Sequence, residues 1–136
     1  RDDARSILAK AHTALVSGGV ILLEPHPFAE VERQGRRGRA WHSAETGLFA
    51  ESPHVVLQEN FWDDATNTTT FRYYVVDAAT AEMTRHACSF QAYTDQEYRS
   101  LLNETGFDGV QLLSALGDEQ PDTKGELMTI VARRVH

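Results

Sequence analysis

Leu15-Val16-Ser17-Gly18-Gly19-Val20-Ile21-Leu22-Leu23-Glu24-Pro25 is the stretch on which the reading of this chain turns. Residues 20–23 are all apolar and do not alternate. A short continuous apolar run bounded by turn residues is the pattern of a strand buried on both faces of a parallel sheet. Upstream, Ala4, Ile7, Leu8, Ala11, Ala14 and Leu15 recur at spacings of three and four. They predict a helix from Arg1 with one apolar stripe, a solvated basic back face and Gly18 as its C-terminal cap. Parallel strands reach one another through helical crossovers. Only one helix precedes residue 20, so the chain is expected to open inside an α/β fold whose first half lies outside it.

Downstream, Pro25 and Pro27 stop the strand from running on. Residues 28–54 read as an irregular or helical excursion carrying Arg33, Arg36, Arg37 and Arg39. Three period-two stretches follow, Val55–Trp62, Thr69–Val76 and Met83–Phe90, which predict an antiparallel meander. Asp63-Asp64-Ala65-Thr66-Asn67 and Asp77-Ala78-Ala79-Thr80 supply turn chemistry between them. Thr94 and Glu97 have the spacing of a capping box, fixing where the next helix starts. Tyr98, Leu101 and Leu102 then face inward. Phe107–Leu113 and Leu127–Ala132 predict two closing strands joined by a polar loop with Gly117, Pro121 and Gly125. The expected organisation is a single domain, 1–136, with 27–92 as an inserted excursion and meander.

A second signature is Tyr93-Thr94-Asp95-Gln96-Glu97-Tyr98-Arg99-Ser100-Leu101-Leu102-Asn103-Glu104-Thr105-Gly106-Phe107. Taken in order, the two signatures resemble class I S-adenosylmethionine-dependent methyltransferases. In that family the fifth strand follows a helix ending in a leucine and a Gly-Gly pair, and the last helix ends in Gly-Phe leading into the sixth strand. The resemblance runs from about Ala4 to Val135 and covers only the C-terminal part of the family's domain. It implies an α/β fold: the C-terminal part of a Rossmann-like sheet, strands five, six and seven with two flanking helices, plus an inserted β-meander. It also implies that Val20–Leu23 pairs with Leu127–Ala132 on one side and with sequence outside the chain, or a second copy of it, on the other.

The activity implied is methyl transfer from S-adenosylmethionine to a small-molecule or protein acceptor, this chain supplying the substrate-facing half and being inactive alone. The family holds its cofactor with a glycine-rich turn after the first strand and an acidic residue ending the second. Neither has a counterpart here: the nine glycines include no Gly-x-Gly. S-adenosylmethionine is therefore expected to bind through the missing N-terminal half, with no cofactor-binding residue in this chain. The competing reading is a non-catalytic binding or dimerisation module that keeps the scaffold without the cofactor half.

Composition narrows the partners. A net charge of -7 argues against a broad nucleic-acid footprint, which needs clustered Lys and Arg. Four arginines between Arg33 and Arg39 fit a solvated loop or a clamp on an acidic substrate better than an RNA motif. No stretch has the length of a membrane span. The lone Cys88 can form no internal disulfide, so a reducing cytoplasm is the default expectation. The six histidines contain no pair at three- or four-residue spacing, so no metal site is expected.

Ligands of open α/β sheets bind beyond the carboxyl ends of the strands, which puts Glu24, His26 and Phe28 at a pocket rim. His26 is a candidate general base on a hydroxyl or amine, since imidazoles titrate near neutral pH, and Glu24 is a second catalytic candidate. A polar, turn-tolerant residue between two prolines would account for His26 equally well. Phe28, Trp41, Trp62 and Tyr93 are candidate substrate-binding rings, although rings of this size also fill the space under a sheet. Of Tyr73 and Tyr74, adjacent in a strand, one must point each way.

Overall fold

The computed structural model describes residues 1–114 and 127–135. The chain forms two compact units, Arg1–Glu30 with Ala92–His136, and Val31–Gln91.

The first unit opens with α1 (Asp2–Ala14) and β1 (Val20–Leu23), and closes with α3 (Asp95–Glu104), β6 (Phe107–Leu113) and β7 (Thr129–Arg134). Its sheet has the order β1-β7-β6. β1 pairs antiparallel with β7, Ile21 opposite Ala132 and Leu23 opposite Ile130, so the partner expected for Val20–Leu23 is the one found. The other side of β1 pairs with no described strand. Both helices deliver their stripes to one cluster, in which Leu8, Leu101, Leu102, Phe107, Met128, Ile130 and Ala132 are buried. Burying a side chain of this kind stabilises by about 1.5–3 kcal/mol.

That one-sided cover corrects the expectation of a strand buried on both faces. Ile21 and Leu23 pack against the cluster, whereas Val20 and Leu22 on the opposite face are each 47% exposed. The helix stripe is also narrower than expected. Ala4, Leu8, Ala11 and Leu15 join the cluster, while Ile7, one residue round the helix, is exposed. Gly18 is not the helix cap: α1 ends at Ala14 with an extended Leu15, and the Gly18 N–H donates to the Arg134 carbonyl at 3.1 Å, tying the turn to β7. The basic back face is not merely solvated either, since Arg5 pairs with Glu104 of α3 at 2.6 Å. α3 begins at the predicted capping box, with Thr94 as N-cap and Glu97 closing it. The polar loop with Gly117, Pro121 and Gly125 lies outside the described residues.

α2 (Phe28–Gly35) leads from the first unit into the second, a four-stranded antiparallel sheet of order β2-β3-β4-β5. β3 (His54–Asp63), β4 (Thr68–Asp77) and β5 (Met83–Gln91) are the predicted meander. Its turns are closed as expected: Asp63 accepts from the N–H of Ala65 at 2.8 Å, and Asp77 from those of Ala79 and Thr80 at 2.9 and 2.8 Å. The excursion is more ordered than its sequence suggests. It holds α2 and a fourth strand, β2 (Arg39–Ala44), paired with β3. The arginines are thus divided: Arg33 lies in α2, Arg36 and Arg37 in the turn that follows it, and Arg39 opens β2. Val31 is buried, and the buried Thr69 hydroxyl donates to its carbonyl at 2.6 Å. No helix among the described residues is long and apolar enough to cross a membrane.

Candidate functional site

The carboxyl end of β1 runs into Glu24-Pro25-His26-Pro27 and then α2. This segment is pinned twice: the Pro25 carbonyl accepts from the Met128 N–H at 2.9 Å, and the Pro27 carbonyl from the Glu30 N–H at 3.0 Å. Two prolines leave few backbone donors and hold the chain extended. Glu24 is exposed, while His26 and Phe28 are half-buried and engaged with neighbours. Glu24 and His26 thus lie on the link between the carboxyl end of β1 and α2.

Tyr93, in the same unit, precedes the Thr94 cap and packs against the core cluster. Its ring lies 5.4 Å from that of Tyr98, tilted by 57°. Burial is the main cause raising both phenols, and Tyr98 is pushed up to about 12. Tyr98 stays protonated at working pH and can act only as a neutral group.

Within the second unit the two candidate tryptophans are not brought together. Trp41 on β2 stands opposite Leu57 of β3, whereas Trp62 stands opposite Thr69. Leu57 and Trp62 differ by an odd number of residues, so their side chains lie on opposite sides of the pleat. Trp62 donates its indole N–H to Asp64 at 2.8 Å, with the Arg36 guanidinium 5.8 Å from the ring centroid. Arg36 also pairs with Glu32 at 3.0 Å and with Asp64. Trp41 is 72% exposed. Tyr73 and Tyr74 divide as expected: Tyr73 contacts the Phe49 ring at 4.9 Å, and the Tyr74 hydroxyl donates to Glu59 at 3.4 Å on the Trp41 side.

Sequence reasoning did not group Leu57, Glu59, Tyr74 and Met83 with Trp41, yet these residues line one groove of about 550 Å³. The signal was the alternation Val55-Leu57-Glu59-Phe61 in β3, but only the strand register shows what stands beside it. No group of three or more potential metal ligands occurs among the described residues.

No protein-family model and no curated protein matches this sequence. Solved structures do. An S-adenosylmethionine-dependent methyltransferase from Clostridium acetobutylicum superposes with a TM-score of 0.67 at 12% identity, covering 99% of this chain and 52% of its own. The fold is that of the C-terminal half of a Rossmann-like methyltransferase. The CcbJ methyltransferase of Streptomyces caelestis matches with a TM-score of 0.65 at 16% identity, over 98% of this chain and 54% of its own. The sugar N-methyltransferase KedS8 of a Streptoalloteichus species matches with a TM-score of 0.65 at 15% identity, over 97% and 49%. The chain spans about half the length of the structures it matches.

The described residues do not fit S-adenosylmethionine. A dinucleotide-type cradle needs successive backbone N–H groups at a glycine-rich turn between a strand and a helix. Among the described residues the chain passes from strand to helix at β1 to α2, where the link is Glu-Pro-His-Pro with no glycine and two residues lacking an N–H, and at β5 to α3, where Ala-Tyr-Thr likewise holds no glycine.

Proposed function

We propose that this chain is the acceptor-facing half of an S-adenosylmethionine-dependent methyltransferase, with the cofactor held by protein outside it. The observation that carries this reading is the strand order β1-β7-β6, superposing on methyltransferases over nearly the whole chain. The mismatch with the cofactor supports the division of labour. His26, at the carboxyl end of β1, takes the proton of the acceptor's amine or hydroxyl, and Glu24 beside it favours the imidazolium that results. Phe28 and Tyr93 supply apolar walls that hold the acceptor. Trp41 and Trp62 stand on different faces of the second unit's sheet, so at most one of them joins any single acceptor site.

The test is a methyl-transfer assay on the protein from its natural source, with and without His26→Ala introduced at the native locus. Transfer is expected to fall about 10²-fold, with cofactor affinity unchanged. Unaltered turnover would remove His26 from the mechanism, and no methyl transfer from either protein would overturn the reading. A second reading, a binding or dimerisation module, draws on the side of β1 that pairs with no described strand. Pairing there would join two copies without any chemistry.

A further inference from the structure

The Trp41 face of the four-stranded sheet carries a groove whose other lining residues, Leu57, Glu59, Tyr74 and Met83 among them, take no part in the proton transfer proposed for His26. Its apolar surface comes from Trp41, Leu57, Tyr74 and Met83. Trp41, Leu57 and Met83 are all exposed, at 72%, 43% and 57%. Its volume of about 550 Å³ suits a small molecule rather than a protein segment, since ligand pockets fall within roughly 300–1,000 Å³.

Charge selects among small molecules. The chain as a whole carries -7, but on this face arginines outnumber carboxylates: by strand register, Arg39, Arg72 and Arg85 share it with Glu59 and with Asp63 at the far end of β3, which is taken up by the N–H of Ala65. Glu59 is already occupied. It accepts from Arg39 at 3.1 Å, from Arg72 at 3.5 Å and from the Tyr74 hydroxyl at 3.4 Å. A cationic ligand would have to displace two guanidiniums to reach it. An anion meets the opposite situation. Arg39 pairs through one nitrogen and its side chain is 84% exposed, leaving its other donors open to solvent. Arg85 stands directly opposite Tyr74 and makes no ion pair among the described residues.

We propose that this groove is a binding site for a flat aromatic molecule bearing a carboxylate or comparable anionic group. The ring stacks on Trp41 and Tyr74, and the anion pairs with Arg39 at the rim, where a guanidinium offers two parallel donors.

Calorimetric titration of the full chain with 1-naphthaleneacetate and with the amine of the same ring tests it. The acetate is expected to bind at least about tenfold more tightly than the amine, a difference one charge-assisted contact supplies. Trp41→Ala and Arg39→Gln are each expected to weaken the acetate several-fold while leaving the melting temperature in place, because both side chains are exposed. Equal affinities for acetate and amine, no acetate binding at millimolar concentration, or binding indifferent to Trp41→Ala would overturn the proposal. So would sedimentation showing a dimer that Trp41→Ala dissociates, which would assign the face to a second copy of the chain.

Discussion

Thr94 and Glu97 satisfy each other's backbone: the Thr94 hydroxyl accepts from the Glu97 N–H at 3.3 Å, and the Glu97 carboxylate accepts from the Thr94 N–H at 2.8 Å. The exchange fixes the first turn of α3, from which Leu101 and Leu102 reach the core. Replacing Thr94 by Ala is expected to cost about 1 kcal/mol, with Ser retaining most of the stability. Urea midpoints at constant slope measure it.

At the other end of α3, Arg5 donates to Glu104 at 2.6 Å, and this hydrogen bond is the main reason that carboxyl lies below its ordinary value of 4.5. A carboxylate whose folded value is depressed contributes stability that is present above the unfolded value and lost as pH falls through the folded one. Melting temperature should therefore drop on acidification below about pH 4.5, and Glu104→Gln should flatten that limb. An unchanged acid limb in the variant would place the effect on Asp63 and Asp77, whose carboxyls are held low chiefly by the backbone N–H groups of Ala65 and Thr80 respectively.

Gly35 is buried against β3 and β4. A Cβ there would crowd the Thr69 hydroxyl, the Trp62 Cβ at 3.1 Å and the Phe61 carbonyl at 3.2 Å. Because the neighbours include backbone, Gly35→Ala is expected to destabilise by about 1–3 kcal/mol. Thr69→Val keeps the shape but leaves the Val31 carbonyl without its donor, again at a cost of about 1–3 kcal/mol. Chemical denaturation of both variants tests this packing, and neutral substitutions would refute it.

Calorimetry should find no micromolar binding of S-adenosylmethionine by the isolated 136-residue chain, because Glu24-Pro25-His26-Pro27 offers no row of backbone donors. Micromolar affinity would require a site built in some other way and would sink the proposed division between halves.

Sedimentation at micromolar concentration is expected to show self-association of the isolated chain through β1, whose outer side pairs with no described strand. Leu22→Lys places a charge on a half-exposed side chain of that strand and should shift the population toward monomer. A monomer with a cooperative melt before any substitution would show that this edge is tolerated as it stands.

What the sequence determined by itself was local. The capping box, the existence of α1 and its apolar stripe (though not its width, since Ile7 is exposed), the three meander strands and their aspartate turns were legible, because each depends on residues only a few positions apart. The short apolar run Val20–Leu23 also named its own partner once the family resemblance was in hand. β2 was not legible: nearly all of Arg39–Ala44 is exposed, so no apolar alternation marks it, and its strand conformation is imposed by pairing with β3. Tertiary structure alone decided that β1 is covered on one face, since both helices bring their stripes to the same side. It alone put Trp41 and Trp62 on opposite faces and gathered Leu57, Glu59, Tyr74 and Met83 around Trp41. Those placements follow from strand register, and for Trp41 the register belongs to β2, a strand whose exposed residues carry no apolar alternation to announce which residues of β3 it meets.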